Sequence, residues 1–400
     1  MTQRPLEGIR VMDQSVMTAG PWAVQILADL GAEVIKTERP GKAFDVNRIN
    51  GPHQHNTTYY FMCMNKDKKC IQLDFNQPGH KDIYKKIVAK SDIVTENFKA
   101  GSMDRQGLGY EDLKAVNPNL IYSAVSGYGQ TGPCSALPAS DLVIQATSGF
   151  MSVNGEEGST GMKAGSSLAD VYASVVSAVA LMGGIYYKME TGEGTMIDTS
   201  MQCADMTLTA YEMAKYLNTG VVTRPNGNAD HEVGFCQPVP VTDGLLMVDA
   251  SDDAAFEAFM KVLGLDELAR DERFADGASR CANRKALEEP INVITAKYSM
   301  AELASRCRAV GIPVGEVNTV NMALCNRYLE DNDMVSMVYD NKFGYCKTVD
   351  LPIHFDKISI PKYRKASQAG EDTAEVLKDL LGLSDEEIKA LYSYEGAVKV

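Results

Sequence analysis

The first 130 residues alternate short apolar runs with segments in which apolar positions recur at helical spacing. The runs of strand length are residues 8–13, 33–38, 70–75, 92–98 and 120–125. The segments with helical spacing are residues 21–30, 79–90 and 110–116. Because strands separated by helices form parallel sheets, this pattern predicts an α/β fold with helices packed on the sheet. Ligands of such sheets bind in the loops at the carboxyl ends of the strands.

The pattern is mainly helical from residue 140 to 217, apart from a predicted strand at residues 195–200. The longest apolar stretch without a charged residue spans residues 171–187. This stretch is shorter than the roughly 20 residues that a membrane span needs, so it predicts a helix buried in the core. No association with a membrane is expected.

A segment rich in Gly and Asn, residues 218–234, marks a boundary in the chain. Residues 239–249 predict a β-hairpin that turns at Asp243 and Gly244. Three segments with helical spacing follow, and Pro290 is expected to kink or split the second of them. The three segments are residues 252–263, 284–297 and 300–310. Together these elements predict a second, smaller α+β unit.

The composition is that of a folded protein with an acidic surface. Of the 400 residues, 45% are hydrophobic and 23% are charged, which excludes an intrinsically disordered chain. The formal net charge of −14 repels a polyanion, so nucleic acid is not an expected partner. A small anionic ligand remains compatible with this charge, because a few well-placed cations suffice to bind it.

The cysteines indicate a reducing compartment. Nine cysteines are scattered along the chain, without a C-x-x-C sequence and without a Cys/His cluster at zinc spacing. An odd number in a long chain favours reduced thiols over a disulfide framework. The first residues lack the apolar core of a signal peptide. A cytoplasmic location and no metal site are therefore expected.

Asp170 lies at the start of the long apolar stretch, where it opens the predicted helix. A carboxylate at a helix N-terminus stays ionised, and an ionised, partly desolvated carboxylate can form an acyl intermediate as a nucleophile. Ser167 and Asp170 also fit the spacing of a capping box, which is the simpler interpretation of the local pattern. Asp141 opens an earlier helix, where Ser140 or Asp141 is expected to act as a plain N-cap.

Three cations of the first half follow strand ends, where a nucleotide lies in a parallel sheet. They are Arg39, Lys99 and Arg105. Arginine binds phosphate bidentately, and Phe98 can stack on a base, although no G-x-G-x-x-G and no P-loop sequence occurs. Solvated surface charge is the alternative for these cations. It is the expectation for three lysines before the third strand, which are Lys66, Lys68 and Lys69.

Ten short segments, in order along nearly the whole chain, resemble the family III coenzyme A transferases of the formyl-CoA and carnitine type. They are residues 5–13, 19–21, 30–39, 65–69, 71–74, 96–98, 125–133, 169–170, 192–201 and 311–315. The resemblance implies a Rossmann-like large domain that binds CoA, made of residues 1–217 and 330–400. It also implies a small α+β domain with linkers at residues 218–329, and a homodimer whose two chains are interlocked like rings.

The resemblance further implies a covalent reaction. Asp170 falls on the family's catalytic aspartate, which forms a mixed anhydride with the acyl group and then an aspartyl-CoA thioester. Backbone amides near Asp170, or a loop of the small domain, would stabilise the oxyanions. The implied reaction moves CoA from an acyl-CoA donor to a carboxylic acid acceptor. Acyl-CoA is then a substrate, and no permanently bound cofactor is expected.

By the same resemblance, CoA contacts nine residues of the large domain. They are Thr18, Ala19, Arg39, Leu73, Asn76, Asn97, Phe98, Lys99 and Arg105. The adenine and ribose are expected near Leu73 and Phe98, and the phosphates near Arg39, Lys99 and Arg105.

The chain departs from the formyl-CoA branch in two places. Thr18 stands where that branch has Gln, and residues 230–237 lack its run of glycines, which disfavours oxalate. Asp141 matches an acidic site residue of the branch and is a candidate for the substrate site. The related α-methylacyl-CoA racemases have a His before this aspartate, where this chain has Ser140. Because racemisation needs a second proton carrier, CoA transfer is favoured over an acyl-CoA racemase or epimerase; a non-catalytic CoA-binding subunit is the third alternative.

Overall fold

The chain forms two compact units. The computed structural model describes residues 4–40, 45–54, 57–325, 334–341, 344–394 and 397. The large unit consists of Met1–Phe150, Ala164–Ala214 and Tyr328–Val400. The small unit consists of Met151–Lys163 and Lys215–Arg327.

The strands in the described part of the chain are numbered in chain order. They are β1 (Arg10–Asp13), β2 (Glu33–Glu38), β3 (His53–Gln54), β4 (Thr57–Thr58), β5 (Lys69–Gln72), β6 (Ile93–Glu96), β7 (Ile121–Ser126), β8 (Met196–Ser200), β9 (Phe235–Val241), β10 (Gly244–Ala250), β11 (Val314–Glu316), β12 (Val335–Asp340), β13 (Gly344–Val349) and β14 (Tyr363–Lys365).

The α-helices are numbered in the same way. They are α1 (Ala19–Asp29), α2 (Tyr59–Met64), α3 (His80–Val88), α4 (Ser102–Arg105), α5 (Tyr110–Lys114), α6 (Asp141–Thr147), α7 (Phe150–Val153), α8 (Leu168–Thr191), α9 (Met201–Met206), α10 (Ala210–Thr219), α11 (Asp253–Leu263), α12 (Asp266–Ala269), α13 (Gly277–Ala282), α14 (Arg284–Thr295), α15 (Met300–Ala309), α16 (Val320–Leu324), α17 (Thr373–Leu381) and α18 (Asp385–Leu391).

The centre of the large unit is a six-stranded parallel sheet in the order β5-β2-β1-β6-β7-β8. Counted along the chain, this is the doubly wound order 3-2-1-4-5-6. The predicted α/β fold is confirmed, and the five strands expected in the first 130 residues all join this sheet. Every residue of β6 and β7 is buried, as is typical of central parallel strands. The strand order reverses between β1 and β6, which is where such sheets bind ligands.

Helices cover both faces of this sheet. On one face, α3, α17 and α18 contribute Ile83, Leu377 and Ile388 to an apolar cluster with the strands. On the other face, α1 and α8 contribute Leu27 and Leu181 to a second cluster. The C-terminal helices therefore complete a layer that the first 130 residues begin. A further small sheet in the large unit has the order β13-β12-β14.

Buried ion pairs surround the end of β1. The Nζ atom of Lys68 lies 2.9 Å from Oδ2 of Asp13, and the Nζ atom of Lys36 lies 3.1 Å from Oδ2 of Asp45. All four side chains are fully buried, where an unpaired charge would cost several kcal/mol. The expectation of solvated charge is therefore wrong for Lys68. It is also wrong for Lys66, which pairs with an aspartate of the C-terminal segment.

Helix α8 is longer and less buried than predicted. It extends beyond residues 171–187 at both ends and has 24 residues. One face packs on the sheet as the predicted core helix does, but apolar side chains on another face are exposed, so the predicted burial holds for one face only. By length and composition α8 is the single described helix able to cross a membrane, a property that it shares with core helices of soluble proteins. A membrane protein is not indicated by one such helix.

The small unit is built on a three-stranded antiparallel sheet in the order β11-β10-β9. The predicted hairpin is confirmed, but its turn lies one residue earlier than expected, at Thr242 and Asp243, because Gly244 already pairs with Val241 as the first residue of β10. Helices α11, α14 and α15 pack on this sheet around one apolar cluster. Pro290 was expected to kink or split this helix; it lies inside α14, which runs without a break, so the helix is not split there. Buried Leu287 and Ile291, on either side of the proline, attach α14 to the core and offset the lost hydrogen bond.

Candidate active site

A carboxylate from another helix caps the N-terminus of α8. Ser167 occupies the N-cap position, but its side chain makes no capping hydrogen bond, so the predicted capping box is wrong. The Oδ1 atom of Asp141 instead accepts hydrogen bonds from the backbone amides of Ala169, at 2.9 Å, and Asp170, at 3.3 Å. A full negative charge from α6 thereby satisfies amides that have no partner inside α8. The side chain of Ser140 likewise makes no cap on α6.

The position of Asp141 limits which backbone amides near Asp170 can stabilise an oxyanion. The sequence led us to expect that backbone amides near Asp170 contribute to an oxyanion hole. The amides of Ala169 and Asp170 already have Asp141 as their acceptor. These two amides are therefore not open to a substrate while Asp141 is ionised and in place.

The side chain of Asp170 is half-buried, and the pKa of its carboxyl group is raised. Burial raises the pKa of Asp170 to about 6, and the negative charge of Asp141 adds to this effect. At neutral pH the group is ionised but more basic than an ordinary aspartate. A basic, partly desolvated carboxylate has the properties of a nucleophile toward acyl groups.

The loop between β1 and α1 reaches α8 close to Asp170. The Ser174 hydroxyl donates a hydrogen bond to the carbonyl of Asp170 at 2.7 Å and lies 3.5 Å from the carbonyl oxygen of Thr18. Ala19 and Ala169 belong to one cluster of buried apolar side chains. Thr18 and Ala19, two of the residues predicted to contact CoA, thus lie beside the helix that carries Asp170.

A cavity of about 220 Å³ opens in the large unit at the carboxyl edge of the sheet. Its lining comes from the loops after β1, β2, β5 and β6 and from α4. The lining residues are Gln14, Arg39, Leu73, Asp74, Phe75, Asn76, Phe98, Ser102, Met103 and Gln106. Four of these were predicted from the sequence, namely Arg39, Leu73, Asn76 and Phe98. The cavity has an aromatic and aliphatic interior, as is typical of sites that hold a planar ring.

Cations lie around this cavity. The side chain of Arg39 is 58% exposed, and its Nε atom lies 3.8 Å from Oδ1 of Asp74. Arg105 is exposed and donates a hydrogen bond to the hydroxyl of Ser102 at 2.9 Å. Lys99 is exposed in the same loop region. These three predicted cations are accessible to a charged ligand.

Asn97, another residue predicted to contact CoA, holds the β1–α1 loop with its side chain. Its side chain points to the β1–α1 loop, where Nδ2 donates to the carbonyl of Val16 at 2.7 Å and Oδ1 accepts from the Val16 amide at 2.8 Å. Gly20 allows the close approach, because a Cβ atom there would lie 2.3 Å from the Cβ of Ser15 and 3.2 Å from the Cγ of Asn97. Asn97 therefore fixes the loop that contains Thr18.

The predicted site residues thus form two groups in the large unit. Asp141, Asp170, Thr18 and Ala19 lie at the N-terminus of α8, and the cavity residues lie at the sheet edge. The β1–α1 loop connects the groups, because Gln14 lines the cavity at one end of the loop. Among the described residues, no group of three or more His, Cys, Asp or Glu side chains is arranged to hold a metal ion.

The family of the chain follows from a match over most of its length. A sequence model of the family described as CoA-transferase family III matches residues 6–373. The chain belongs to CoA-transferase family III. The resemblance inferred from the short segments is confirmed. CoA-transferases use CoA thioesters as substrates. The cavity and the cations around it therefore occur in a family whose substrates carry an adenine nucleotide with three phosphate groups.

Curated relatives and solved structures support this assignment over nearly full lengths. A succinate–glutarate CoA-transferase of Agrobacterium fabrum is 31% identical over 382 residues, covering 94% of this chain and 96% of that protein. An acetyl-CoA:oxalate CoA-transferase of Acetobacter aceti is 34% identical over 312 residues, covering 78% of this chain and 80% of that protein. The crystal structure of a CAIB/BAIF family protein from Brucella suis superposes with a TM-score of 0.85 at 31% identity, covering 95% of this chain and all of that one.

Two buried polar residues of the site were missed by the sequence reasoning. Gln145 is completely buried and hydrogen-bonds Asp141, four residues earlier on α6. The spacing of four on a predicted helix was a usable signal. Glu96 is buried at the end of β6 and accepts a hydrogen bond from the Phe98 amide at 2.6 Å. Burial raises the pKa of Glu96 to about 7. Nothing in the local sequence indicates how far these side chains are buried.

Replacing Asp170 by Asn is expected to stabilise the protein at neutral pH. The pKa of Asp170 in the folded protein, about 6, lies above the ordinary value of 3.8. The stability that protonated Asp170 provides is thus fully present below pH 3.8 and is lost as the pH rises through about 6. We expect Asp170→Asn to gain roughly 1 to 3 kcal/mol at about pH 7.5 and nothing near pH 4, measured by thermal denaturation.

Glu257→Gln, at an exposed position on α11, is the matched control for loss of a carboxylate. This control is expected to change stability by less than about 0.5 kcal/mol at either pH. An Asp170→Asn variant without any gain at neutral pH would contradict the raised pKa.

Proposed function

We propose that this protein transfers CoA from an acyl-CoA donor to a carboxylic acid acceptor. The observation that carries the proposal is the carboxylate of Asp170, partly buried and basic, at the start of a helix whose first amides are taken by Asp141. In a family III chain, such a group has the chemistry needed to accept an acyl group and return it. The cavity at the sheet edge supports the proposal as the binding site of the CoA nucleotide.

The proposed reaction begins on the thioester of the donor. An oxygen of Asp170 attacks the thioester carbonyl, the C–S bond breaks, and CoA leaves as a thiolate while a mixed anhydride forms. The thiolate then attacks the Asp170 carbonyl carbon. This step releases the donor acid as a carboxylate and leaves an aspartyl-CoA thioester.

The second half repeats these steps in reverse with the acceptor. The acceptor carboxylate attacks the aspartyl thioester and displaces the thiolate, which gives a new mixed anhydride. The thiolate attacks the acceptor carbonyl of this anhydride, which yields the new acyl-CoA and regenerates the Asp170 carboxylate. Each step exchanges one activated acyl bond for another, so no external energy source and no net proton are needed.

We propose that CoA lies along the carboxyl edge of the sheet. The adenine would occupy the cavity between Leu73 and Phe98, and the phosphates would contact Arg39, Lys99 and Arg105, which are accessible around it. Asn76 would join the cavity contacts. The pantetheine arm of CoA would be directed toward α8 by contacts with Thr18, Ala19 and Asn97. In this proposal residues 1–217 and 330–400 form the CoA-binding domain, and residues 218–329 form the small domain.

The names of relatives favour a small dicarboxylic acid as acceptor. Proteins that act on succinate and glutarate, on D-citramalate and on mesaconate are similar to this chain at 29% to 31% identity. Succinyl-CoA is therefore the first donor to test, with a panel of C4 and C5 dicarboxylates as acceptors. We further propose a cytoplasmic location, which the nine unpaired cysteines support.

Asp170→Asn is expected to lower CoA transfer by at least about 1,000-fold, because the isosteric amide cannot form the anhydride. The assay mixes succinyl-CoA with the acceptor panel and quantifies each acyl-CoA by mass spectrometry. Adding hydroxylamine during turnover is expected to convert Asp170 of the wild-type protein into its hydroxamate, identified in a peptide digest. Glu257→Gln serves as the control with full activity.

Transfer that survives in Asp170→Asn would refute the assigned role. Exchange of the α-proton of an acyl-CoA into D₂O without any acceptor would instead identify a racemase or epimerase. CoA binding without turnover and without a hydroxamate would identify a non-catalytic binding subunit.

Arg39→Met and Phe98→Ala are each expected to raise the KM for acyl-CoA by about tenfold or more with a smaller change in kcat. A phosphate contact and a stacking contact bind the nucleotide equally in the ground state and the transition state, so their loss appears mainly in KM. Steady-state kinetics with succinyl-CoA measure both constants. Arg270→Met removes a cation that is 73% exposed on the small unit and is expected to leave both constants unchanged. Unchanged KM in both test variants would contradict this placement of CoA.

We also propose a homodimer, with an exposed apolar stripe of α8 in its interface. The stripe consists of Val171, Val175, Val179, Met182 and Tyr186, all exposed. Their spacing of four, four, three and four residues places them on one side of the helix over roughly 22 Å. A contiguous apolar surface of this length supports burial against a second copy of the chain.

Light scattering in solution is expected to give the mass of two chains for the wild-type protein. Val179→Lys is expected to weaken or abolish the dimer, because it places a charge in the middle of the stripe. Val116→Lys, at an exposed position outside the stripe, is the matched control and is expected to remain dimeric. A wild-type mass of one chain would refute the homodimer.

A further inference from the structure

We propose that Asp141, oriented by the side chain of Gln145, is a positioning residue that occupies the N-terminal amides of α8 and so leaves the carboxylate of Asp170 without them. This inference rests on the proposed role of Asp170 as the nucleophile. In this role Asp141 contacts backbone amides of the protein and not the substrate. A task is also assigned to Gln145, a residue that no chemical motif marks.

The contacts of Asp141 use both of its carboxylate oxygens. Oδ1 accepts the amides of Ala169 and Asp170, and Oδ2 accepts a hydrogen bond from Nε2 of Gln145 at 2.7 Å. Asp141 is itself in the first turn of α6, and α6 packs directly on α8. The carboxylate is therefore held from two sides, by the helix that it caps and by the helix that it belongs to.

Gln145 connects the same carboxylate to the segment before α8. Its Oε1 accepts the amide of Ala164 at 2.9 Å, and its Nε2 lies 3.5 Å from the carbonyl of Ser166. The side chain is completely buried. One orientation of the amide satisfies both ends, since its oxygen faces an N–H group and its nitrogen faces the carboxylate of Asp141. The side chain thus fixes the approach of residues 164–166 to the helix that begins with Asp170.

The consequence for Asp170 is electrostatic. A carboxylate that accepts hydrogen bonds from the first amides of its own helix is stabilised as an anion, becomes less basic and is a weaker nucleophile. In this structure the amides of Ala169 and Asp170 stabilise the carboxylate of Asp141 instead. The pKa of Asp170 accordingly stays high, at about 6, through burial and then the negative charge of Asp141. The group remains ionised at neutral pH but retains the basicity that favours attack on a thioester.

The other charged and titratable groups near α8 do not reverse this balance. The elements that pack on α8 are α1, α6, α9, β7 and β8. Helix α1 has no acidic side chain in its first turn and no basic side chain in its last turn. Helix α6 contributes Asp141. Helix α9 contributes Asp205, whose carboxylate accepts a hydrogen bond from Ser148 at 2.6 Å. Strands β7 and β8 contribute Tyr122 and Asp198. None of these groups is a cation that would lower the pKa of Asp170.

The first test separates basicity from folding. Asp141→Ala removes both the acceptor of the α8 amides and the charge, so the acidic limb of the pH profile of kcat/KM is expected to move down by at least about one pH unit. Asp141→Asn keeps an oxygen for the amides, removes only the charge and is expected to move the limb by less. The kcat at neutral pH is expected to fall by about three- to tenfold, since a less basic nucleophile reacts more slowly. An acidic limb that stays in place would overturn the inference.

The second test addresses Gln145 through the split between kcat and KM. Gln145→Met removes the side-chain hydrogen bonds to Asp141, Ala164 and Ser166 at similar volume. It is expected to lower kcat by about tenfold, with the KM for acyl-CoA within about twofold. In the Asp141→Asn background, the same change is expected to add little, because the two side chains act as one unit. Gln202→Met, which removes another glutamine that hydrogen-bonds a backbone carbonyl, on α9, is the control with unchanged kcat. Fully additive losses would overturn the inference.

The third test needs no turnover and separates this inference from the proposed function. The rise in melting temperature caused by Asp170→Asn at neutral pH is measured in the wild-type and in the Asp141→Ala backgrounds. We expect the rise to shrink by half or more in the Asp141→Ala background, because the charge of Asp141 is gone and the freed amides of α8 can stabilise the Asp170 anion. An equal rise in both backgrounds would overturn the inference, whether or not the protein transfers CoA. Transfer that survives Asp170→Asn would instead refute the proposed function, and this thermal cycle would still report on Asp141.

Discussion

The buried carboxylate of Asp13 is the constraint on which the large unit depends. Burial by itself raises the pKa of Asp13, but the ammonium groups of Lys68 and Lys36 outweigh burial and lower that pKa to about 2. Asp13 also accepts hydrogen bonds from the backbone amide of Ser15 at 2.9 Å and from its hydroxyl at 2.5 Å. A charge this deep in the protein is tolerated only when every partner is in place. The end of β1 and the loop after it therefore have one stable arrangement.

The proposed chemistry depends on that loop. It begins at Gln14 in the cavity at the sheet edge and ends at Ala19 beside α8, and the side chain of Asn97 holds it by two hydrogen bonds to Val16. The loop thus connects the place proposed for the adenine to the place proposed for the acyl transfer. A ligand that spans both needs this spacing to be fixed, because misplacement of reacting atoms by 1 Å costs about 100-fold in rate. The cost of burying the Asp13 charge is offset by its ion pairs with Lys68 and Lys36 and by its hydrogen bonds.

Helix α8 shows why a local sequence motif can assign the wrong helix cap. Ser167 and Asp170 have the spacing of a capping box, and the sequence contains nothing closer that competes for the helix amides. The competing acceptor is Asp141, 28 residues earlier than Ala169, which reaches the amides because α6 packs against α8. Contacts over such a separation depend on the packing of whole elements. The same is true of Lys66 and Lys68, whose partners Asp350 and Asp13 are far away in the sequence.

The sequence by itself determined the alternation of strands and helices, the parallel sheet, the hairpin of β9 and β10, and the family of the chain. These features follow from periodicities and short motifs within single segments of the chain, so they can be recognised without knowing which elements pack together. The tertiary structure alone decided which charges are buried, what caps α8, how Pro290 is accommodated and how basic Asp170 is. Each of these depends on desolvation and on partners brought together by the fold, and free energies of that kind arise only between elements that are distant along the chain.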